Sequence, residues 1–271
     1  MSRWSNHVVL ITGASAGIGA ALARQMAKEG ASVVLTARRK ERLETLASEL
    51  EGLGAKALAV ACDVNDLDQV KAAVEQTLET FGKLDVVIAN AGFGVSGSFS
   101  SLEEEDYRRQ FETNVFGVLH TLRASLDALK ASKGRFSLVG SVNSYISLPG
   151  TSAYGMSKFA VRALGMSLWT ELKPHQVSCT LICPGFVESE IRQVNNQGEF
   201  REKAKDPIPS WLVMPSEKAA RQISKALYKR KNEVVITGHG KFAVFLQRHM
   251  PWLVQAVIQR FGIRGSKRPT E

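Results

Sequence analysis

The stretch TGASAGIG at positions 12–19 decides the fold of this chain. An apolar run, 7–12, leads into it, and an alanine-rich helical pattern follows it. Glycines between a strand and a helix permit positive φ angles and a close approach of the backbone to a ligand. The first turn of the helix offers free N–H groups and the positive end of a dipole to an anion. The stretch therefore predicts a turn that binds the pyrophosphate of a dinucleotide, rather than a tight turn without a ligand.

Strand-like and helical patterns alternate along the chain up to residue 237. The predicted strands are short, rich in Val, Ile or Leu, and almost continuously apolar; they are 7–12, 32–36, 56–61, 84–90, 135–141, 177–183 and 233–237. Such runs are typical of strands that are covered on both faces in a parallel sheet. Most of the segments between them have helical periodicity. The sequence therefore predicts an α/β fold, a doubly wound (Rossmann) parallel sheet of seven strands with helices on both faces.

The charge is unevenly distributed along a chain of otherwise ordinary globular composition, with 44% hydrophobic and 23% charged residues. The formal net charge is +9, and six basic residues against one glutamate follow residue 237. A basic balance can indicate nucleic acid, an anionic membrane or an acidic substrate as partner. No nucleic-acid-binding module and no histidine spacing typical of zinc is present in the sequence, and three cysteines are too few for a disulfide framework. Neither a nucleic-acid partner nor a metal site is predicted.

The end of the second predicted strand discriminates between NAD and NADP. A site for NAD would place Asp or Glu there to bind the ribose 2′-hydroxyl. Here Ala37 is followed by Arg38 and Arg39, and a guanidinium binds a 2′-phosphate through charged, forked hydrogen bonds. We therefore predict NADP(H) as the cofactor, with Arg38 as the chief contact. The alternative is that both arginines only begin the solvated face of the next helix.

Tyr154 and Lys158 are four residues apart in a predicted helix, 152–172, and so share one face of it. A tyrosine hydroxyl, with a pKa of about 10, is a poor base at neutral pH. A nearby ammonium lowers that pKa by favouring the phenolate, and the tyrosine can then exchange a proton with a substrate oxygen. The pair alone occurs by chance in many proteins. Here Ser141 also ends the fifth predicted strand, thirteen residues before Tyr154.

With these parts in this order, the sequence resembles the short-chain dehydrogenase/reductase family over about residues 7–237. The resemblance rests on the glycine turn and on Asp63-Val64, Asn90-Ala91-Gly92, Asn114, Ser141, Tyr154, Lys158 and Pro184-Gly185. It implies an NADP(H)-dependent oxidoreductase that interconverts a carbonyl and an alcohol by hydride transfer. The alternative is a regulatory protein that binds the cofactor on the same fold without turnover, because a fold alone does not determine function.

The resemblance implies four catalytic residues. Tyr154 would be the general acid/base, and Lys158 would lower its pKa and bind the nicotinamide ribose. Ser141 would hydrogen-bond the substrate oxygen. Asn114 would interrupt its helix and hold a water in a proton relay behind Lys158.

The resemblance also implies where the cofactor is bound. Besides Tyr154 and Lys158, the implied contacts are Gly13, Ser15, Gly17, Ile18, Gly19, Arg38, Arg39, Asp63, Val64, Asn90, Ala91, Gly92, Pro184, Gly185, Val187 and Ser189. Asp63 would contact the adenine, Asn90 and Gly92 the adenosine side, and the segment from Pro184 the nicotinamide. Ser189 keeps the hydroxyl of the family's usual threonine. Ala16 stands where many NADPH-preferring members carry Lys or Arg, so Arg38 would do most of the discrimination.

The segment 190–214 interrupts the alternation, after the carboxyl end of a strand, where ligands bind in open α/β sheets. Its four basic and four acidic residues cancel, and several apolar side chains remain. We therefore predict a neutral, apolar small-molecule substrate, such as a lipid-, retinoid- or steroid-like ketone or aldehyde, rather than an acidic thioester.

The chain is predicted to form one domain, 1–237, followed by a basic, amphipathic C-terminal extension, 238–271. Pro251 should break a helix or start one, and 252–261 has an apolar arc. Three arrangements of the extension are open: it packs on the core or on a second subunit, it contacts an anionic membrane through 241–268, or it does both. The extension is similar to those of membrane-associated reductases of the family. We expect a homodimer or homotetramer. We expect a cytoplasmic location, because the sequence shows neither a signal peptide nor an apolar stretch of 18 residues. Peripheral contact at the inner face of a membrane is the open alternative.

Overall fold

Seven parallel strands form a single sheet in the order β3-β2-β1-β4-β5-β6-β7. A computed structural model of the chain describes residues 2–201, 203–204, 206 and 208–261, the side chain of Phe261 excepted. The strands are β1 (Val8–Thr12), β2 (Ser32–Ala37), β3 (Ala57–Ala61), β4 (Val86–Ala89), β5 (Arg135–Val139), β6 (Ser178–Cys183) and β7 (Glu233–Val235). The predicted fold class is confirmed, and each strand begins and ends within two residues of its predicted bounds.

The described part of the chain contains nine α-helices. They are α1 (Gly17–Lys28), α2 (Lys40–Gly52), α3 (Leu67–Phe81), α4 (Glu104–Phe111), α5 (Gly117–Ser132), α6 (Ser152–Glu171), α7 (Ser216–Tyr228), α8 (Gly238–His249) and α9 (Pro251–Phe261). The helix predicted at 152–172 is α6. Pro251 is the first residue of α9, where a missing N–H removes no helical hydrogen bond.

The core consists of two apolar layers, one on each face of the sheet. Helices α1, α2 and α7 cover one face through side chains such as Leu22, Leu43 and Ile223. Helices α3, α5 and α6 cover the other face, where Leu129 and Val161 are fully buried. Because both faces are covered, the strands need apolar side chains in both directions, which explains their nearly continuous apolar sequences.

Helix α3 shows how local sequence determines where a helix begins and ends. The Asp66 carboxylate accepts hydrogen bonds from the backbone N–H groups of Asp68 (2.9 Å) and Gln69 (3.1 Å), which caps the first turn. At the other end, Gly82 adopts a left-handed conformation (φ 73°) that stops the helix. Between the two, Val74 packs into the core.

The C-terminal helices pack on the face that α3, α5 and α6 cover. Val244 of α8 is buried, and Val254 and Ile258 of α9 pack against the same apolar layer. Trp252 and Val257 remain exposed, so the predicted apolar arc is divided between core and solvent. Among the described residues, no helix is both long and apolar enough to cross a membrane. Three of the tail cations, Arg264, Lys267 and Arg268, lie outside the described residues.

Candidate active site

The strand order places a crevice at the carboxyl ends of β1 and β4, because the chain winds away from this point in both directions. Thr12, the last residue of β1, holds the two strand ends together. Its hydroxyl oxygen accepts hydrogen bonds from the backbone N–H groups of Asn90 and Ala91, both at 3.0 Å. The Asn90 amide in turn donates to the carbonyl oxygens of Thr12 (2.9 Å) and Gly13 (3.2 Å). These bonds fix the predicted Asn90 segment against the predicted phosphate-binding turn.

The glycine turn has the shape that a bound pyrophosphate requires. Gly13 and Gly17 have positive φ angles of 66° and 52°. A Cβ atom on Gly19 would lie 2.3 Å from the carbonyl oxygen of Gly13. Helix α1 begins after Ala16 without a side-chain cap, and no described side chain accepts from the N–H groups of its first turn, Ile18 included. The free donors and the closely approaching backbone fit the phosphates of a dinucleotide.

Asp63 and Val64 follow β3 at the same edge of the sheet. The Asp63 carboxylate accepts a hydrogen bond from the backbone N–H of Asn65 (3.0 Å), and its own N–H donates to the side chain of Gln69 (2.9 Å). Val64 is buried, and its carbonyl oxygen lies 2.9 Å from Nδ1 of His120. The turn after β3 is thereby fixed beside the crevice.

The two predicted phosphate-binding arginines differ in their surroundings. Arg38 is exposed and has no side-chain partner among the described residues. Arg39 donates to the Ser15 hydroxyl oxygen (3.1 Å) in the glycine turn and to the carboxylate of Glu190 (2.9 Å). In this structure, therefore, Arg39 rather than Arg38 contacts the turn.

Ser141, Tyr154 and Lys158 converge where β5 ends beside α6. The Ser141 hydroxyl accepts a hydrogen bond from the backbone N–H of Asn143 (3.1 Å), which fixes Ser141 at the start of a short 3₁₀ turn. The Lys158 ammonium donates to the carbonyl oxygen of Val139 (2.8 Å) and lies 5.6 Å from the centroid of the Tyr154 ring. The three predicted residues thus occupy one site.

Burial dominates the electrostatics of the pair on α6. Burial raises the pKa of Tyr154, and a hydrogen bond to Ser141 and the positive charge of Arg192 oppose that rise without cancelling it. Burial also lowers the pKa of Lys158 to about 8, because only 5% of the residue is exposed. The lysine therefore stays mostly protonated at neutral pH.

Asn114 lies in a π-helical turn, Glu112–Phe116, that interrupts the helix between α4 and α5. Its amide nitrogen donates to the carbonyl oxygen of Phe93 (3.1 Å) and to the Ser157 hydroxyl (3.2 Å), and its oxygen accepts from the Phe93 N–H (3.1 Å). A Cβ atom on Gly92 would lie 2.9 Å from that amide oxygen and 3.8 Å from the Lys158 ammonium. Glycine at this position lets the loop after β4 approach both side chains.

The segment after β6 closes the crevice from the other side. Its Pro184 carbonyl oxygen accepts a hydrogen bond from the Val142 N–H (2.8 Å), and Val187 is buried. A Cβ atom on Gly185 would lie 2.6 Å from Nε2 of His239. A Cβ atom on Gly17 would lie 2.9 Å from the Cβ of Ser189, so this segment reaches the glycine turn.

An apolar cluster lies beside Tyr154 at the predicted substrate side. It contains Phe93, Val95, Leu102 and Ala153, with Tyr107 and Val194 packed against it. Segment 190–214 is attached to this side by Asn196, whose amide donates to the Ser96 carbonyl oxygen and accepts from the Ser96 N–H, both at 3.1 Å. Residues 202, 205 and 207 of the segment lie outside the described residues.

The roles of four residues of the site are not predicted from the sequence. Thr12 carries a local signal, a hydroxyl directly before the first glycine, but its role depends on β4 lying alongside. His239 is classed by sequence with the C-terminal extension, yet its Nε2 accepts from the Phe186 N–H (3.1 Å) in the segment after β6. In the sequence, Glu190 and Arg192 appear only as two of the charges that cancel in segment 190–214. No local spacing predicts which residues they contact.

A glycine turn at the switch point of a doubly wound sheet, with Tyr, Lys and Ser beside it, defines a nucleotide-dependent oxidoreductase. The profile of the family described as short chain dehydrogenase matches residues 7–199. The chain belongs to this family, whose members bind NAD or NADP and act on small molecules.

Individual relatives agree with this assignment. A 3beta-hydroxysteroid dehydrogenase of Mediterraneibacter gnavus is 32% identical over 219 residues, 78% of this chain and 79% of the relative. The solved alcohol dehydrogenase of Thermococcus sibiricus, complexed with 5-hydroxy-NADP, has a TM-score of 0.74 at 32% identity and covers 84% of this chain and 95% of its own. A short-chain dehydrogenase/reductase of Burkholderia phymatum, in complex with NAD, has a TM-score of 0.82 at 27% identity and covers 94% and 97%.

Proposed function

We propose that this oxidoreductase uses NADP(H) to interconvert a carbonyl and an alcohol on an apolar small molecule. The observation that carries the proposal is the hydrogen bond between the side chains of Tyr154 and Ser141, in the crevice that the glycine turn also borders. The regulatory alternative, a cofactor-binding protein without turnover, gives no reason for a tyrosine and a serine hydroxyl to converge on one point.

The side chains have complementary roles in this proposal. The bound cofactor would supply or accept hydride. The raised pKa of Tyr154 keeps its proton at neutral pH, which suits donation to the oxygen of a carbonyl as that oxygen gains negative charge. Ser141 would hydrogen-bond the same oxygen. The Lys158 ammonium would hold the nicotinamide ribose and lower the pKa of Tyr154 toward the value needed for the reverse reaction. Asn114 would hold the water of a proton relay behind Lys158.

The preference for NADP(H) is supported by the residues at the end of β2. Ala37 stands where an acidic residue would bind the ribose of NAD, and two arginines follow it. Arg39 is already bonded to the glycine turn, and the exposed Arg38 is free to contact a 2′-phosphate. Of the two similar solved structures, one is complexed with 5-hydroxy-NADP and the other with NAD, so the proposed preference for NADP(H) rests on these residues.

An apolar substrate is supported by the cluster around Phe93 and Val95 beside Tyr154. Its four central side chains are at most 9% exposed, so they form an apolar layer beside Tyr154 rather than a hydrogen-bonding surface, and such surroundings favour a ligand with a large hydrocarbon surface. The relative named 3beta-hydroxysteroid dehydrogenase has such a substrate by its name. We propose a neutral ketone or alcohol of steroid, retinoid or lipid character.

The decisive test is NADPH oxidation with a panel of apolar ketones, followed by absorbance. A Tyr154→Phe variant should lose turnover by about 10²-fold or more while it still binds NADPH, as followed by fluorescence. The matched control is Tyr228→Phe, because Tyr228 is half-exposed and packs against Trp4, away from the crevice. Unchanged turnover in Tyr154→Phe would contradict the assigned role. Tight NADPH binding with no turnover on any carbonyl would favour the regulatory alternative.

The remaining proposals concern residues 238–271, which we treat as an extension of a catalytic domain at 1–237. Phe242, Phe245 and Trp252 are exposed on α8 and α9, and the extension is basic. We propose that this surface contacts either an anionic membrane, from the cytoplasmic side, or a second subunit of a homodimer or homotetramer. Cosedimentation of full-length Trp252→Ser and wild-type protein with anionic vesicles, together with their sedimentation velocities, distinguishes the two partners.

A further inference from the structure

Two arginines at the start of α2 share one carboxylate that comes from the opposite side of the crevice. Nη2 of Arg39 donates to Oε2 of Glu190 (2.9 Å), and Nη1 of Arg42 donates to Oε1 of the same residue (2.6 Å). Glu190 is the first residue of segment 190–214, so it is separated from these arginines by 151 and 148 positions in the chain. The double ion pair therefore joins the cofactor side of the molecule to the segment beside the substrate side.

The shared carboxylate lies close to the glycine turn. Arg39 also donates to the Ser15 hydroxyl (3.1 Å) within that turn, and Ser189, next to Glu190, lies against Gly17. An adenosine 2′-phosphate would be held at the end of β2, next to the turn that would hold the pyrophosphate. Glu190 thus occupies a position where the phosphate of NADP(H) would need the same donors.

The contact between the segment and the arginines is extended by an aromatic ring. The guanidinium carbons of Arg39 and Arg42 lie 5.9 and 5.5 Å from the centroid of the Phe200 ring, within the range of a cation–π interaction. Residues at both ends of 190–200 therefore lie on the same pair of cations. The three ion-pairing side chains are partly accessible to solvent: 38% of Arg39, 42% of Arg42 and 27% of Glu190 is exposed.

The charges decide what this arrangement does to an incoming phosphate. Burial tends to raise the pKa of Glu190, but the hydrogen bonds and charges of Arg42 and Arg39 bring the net pKa below its usual value, so the group is ionised at neutral pH. A carboxylate accepts the same forked hydrogen bonds from a guanidinium as a phosphate does. It also repels a phosphate that comes close to it. The two anions therefore compete for one set of donors.

We propose that Glu190 is a specificity-determining residue that competes with the cofactor 2′-phosphate for Arg39 and Arg42. It weakens the preference for NADP(H) that the two arginines alone would produce. The inference rests on the proposed function in one respect, that the adenosine of the cofactor binds between the glycine turn and the end of β2.

The test compares two fragments that differ only in the 2′-phosphate, 2′,5′-ADP and 5′-AMP, by isothermal titration calorimetry of the full chain. Glu190→Gln should raise the affinity for 2′,5′-ADP by about tenfold, as expected for release of a charged hydrogen-bonding competitor, with the affinity for 5′-AMP nearly unchanged. The matched control is Glu188→Gln, two residues before Glu190. This substitution removes the same charge from a side chain that is exposed and has no described partner. It should leave the ratio of the two affinities within about twofold of wild type, since a solvent-exposed charge is largely screened.

A second variant shows whether the effect depends on the arginine. Arg39→Gln should lower 2′,5′-ADP affinity and remove most of the gain from Glu190→Gln when the two changes are combined. If Glu190→Gln leaves the affinity ratio unchanged or lowers it while both fragments still bind, the inference is wrong and the proposed cofactor site stands. If neither fragment nor NADPH binds to wild type or variant, the proposed function fails together with the inference. Thermal melting of each variant confirms that the comparison is made on folded protein.

Discussion

Replacing Thr12 with valine removes one oxygen atom from the point where β1 and β4 are joined. The side chain is 2% exposed, so water does not readily take the place of the hydroxyl. That oxygen accepts from the backbone N–H groups of Asn90 and Ala91, each at 3.0 Å. The substitution keeps the branched shape and therefore tests the two hydrogen bonds rather than the packing.

The expected loss of stability follows from counting these donors. A buried N–H group left without an acceptor costs about 1–3 kcal/mol, and Asn90 and Ala91 are partly accessible, which favours the lower end. Two donors then cost about 2–4 kcal/mol. The added buried methyl group of valine returns about 0.8 kcal/mol. We expect the free energy of unfolding of Thr12→Val to fall by about 2 kcal/mol.

The neighbouring strand provides the control. Thr36 pairs with Thr12 in the sheet and is 1% exposed. Within the described residues its hydroxyl donates to the Ile11 carbonyl oxygen (3.3 Å) and accepts from no backbone N–H. Thr36→Val leaves no N–H group without an acceptor, so its loss should stay below about 1 kcal/mol. Urea unfolding of both variants measures the difference at an unchanged m-value. An equal or larger loss in Thr36→Val would refute the reasoning.

Three further predictions concern single residues of the site. Gly19→Ala should abolish NADPH binding by fluorescence titration, because its Cβ would collide with the backbone of Gly13. Gly52→Ala should bind normally, because its Cβ would meet no described atom within 4 Å outside its own stretch of helix; normal binding by both variants would exclude the close approach. Because burial lowers the pKa of Lys158 to about 8 from 10.5, the unfolded chain binds more protons between these values. The unfolding free energy of wild type relative to Lys158→Met should therefore rise with pH across this window, and a flat difference would refute the assigned pKa. Burial also lowers the pKa of His239 below 6.5, and its neutral Nε2 accepts from Phe186, so wild type should lose melting temperature relative to His239→Gln as pH falls below 6.5; parallel pH profiles would contradict this.

The sheet and its strand bounds could be predicted because the physical requirement is local. A strand buried on both faces needs apolar residues at successive positions, and Val33 to Leu35 or Val86 to Ile88 show this directly. The glycine turn is equally local, since the allowed φ angles at Gly13 and Gly17 are properties of those residues.

The electrostatics of the site could not be predicted in the same way. The sequence shows that Lys158 and Tyr154 share a helix face, but it does not show how deeply either is buried. In the structure burial outweighs the opposing contributions at Tyr154. Glu190 pairs with Arg39 and Arg42 because the fold brings distant positions together. The sequence shows only that the charges of segment 190–214 cancel, and it does not predict this pairing. The apolar periodicity of α9 likewise predicted a face, but not what that face would contact.

The π-helical turn at Glu112–Phe116 makes the site sensitive to the length of the chain. A π turn contains one residue more than the α-helical turn it replaces, and each residue rotates a helix by about 100°. Removing a single residue there would restore a regular helix and turn Asn114, or all of α5 after it, away from its present direction. Insertions and deletions in this turn should therefore be tolerated far less well than substitutions at its exposed positions. The chain thus encodes the orientation of a buried amide partly in a residue count, a constraint that substitution experiments alone would not detect.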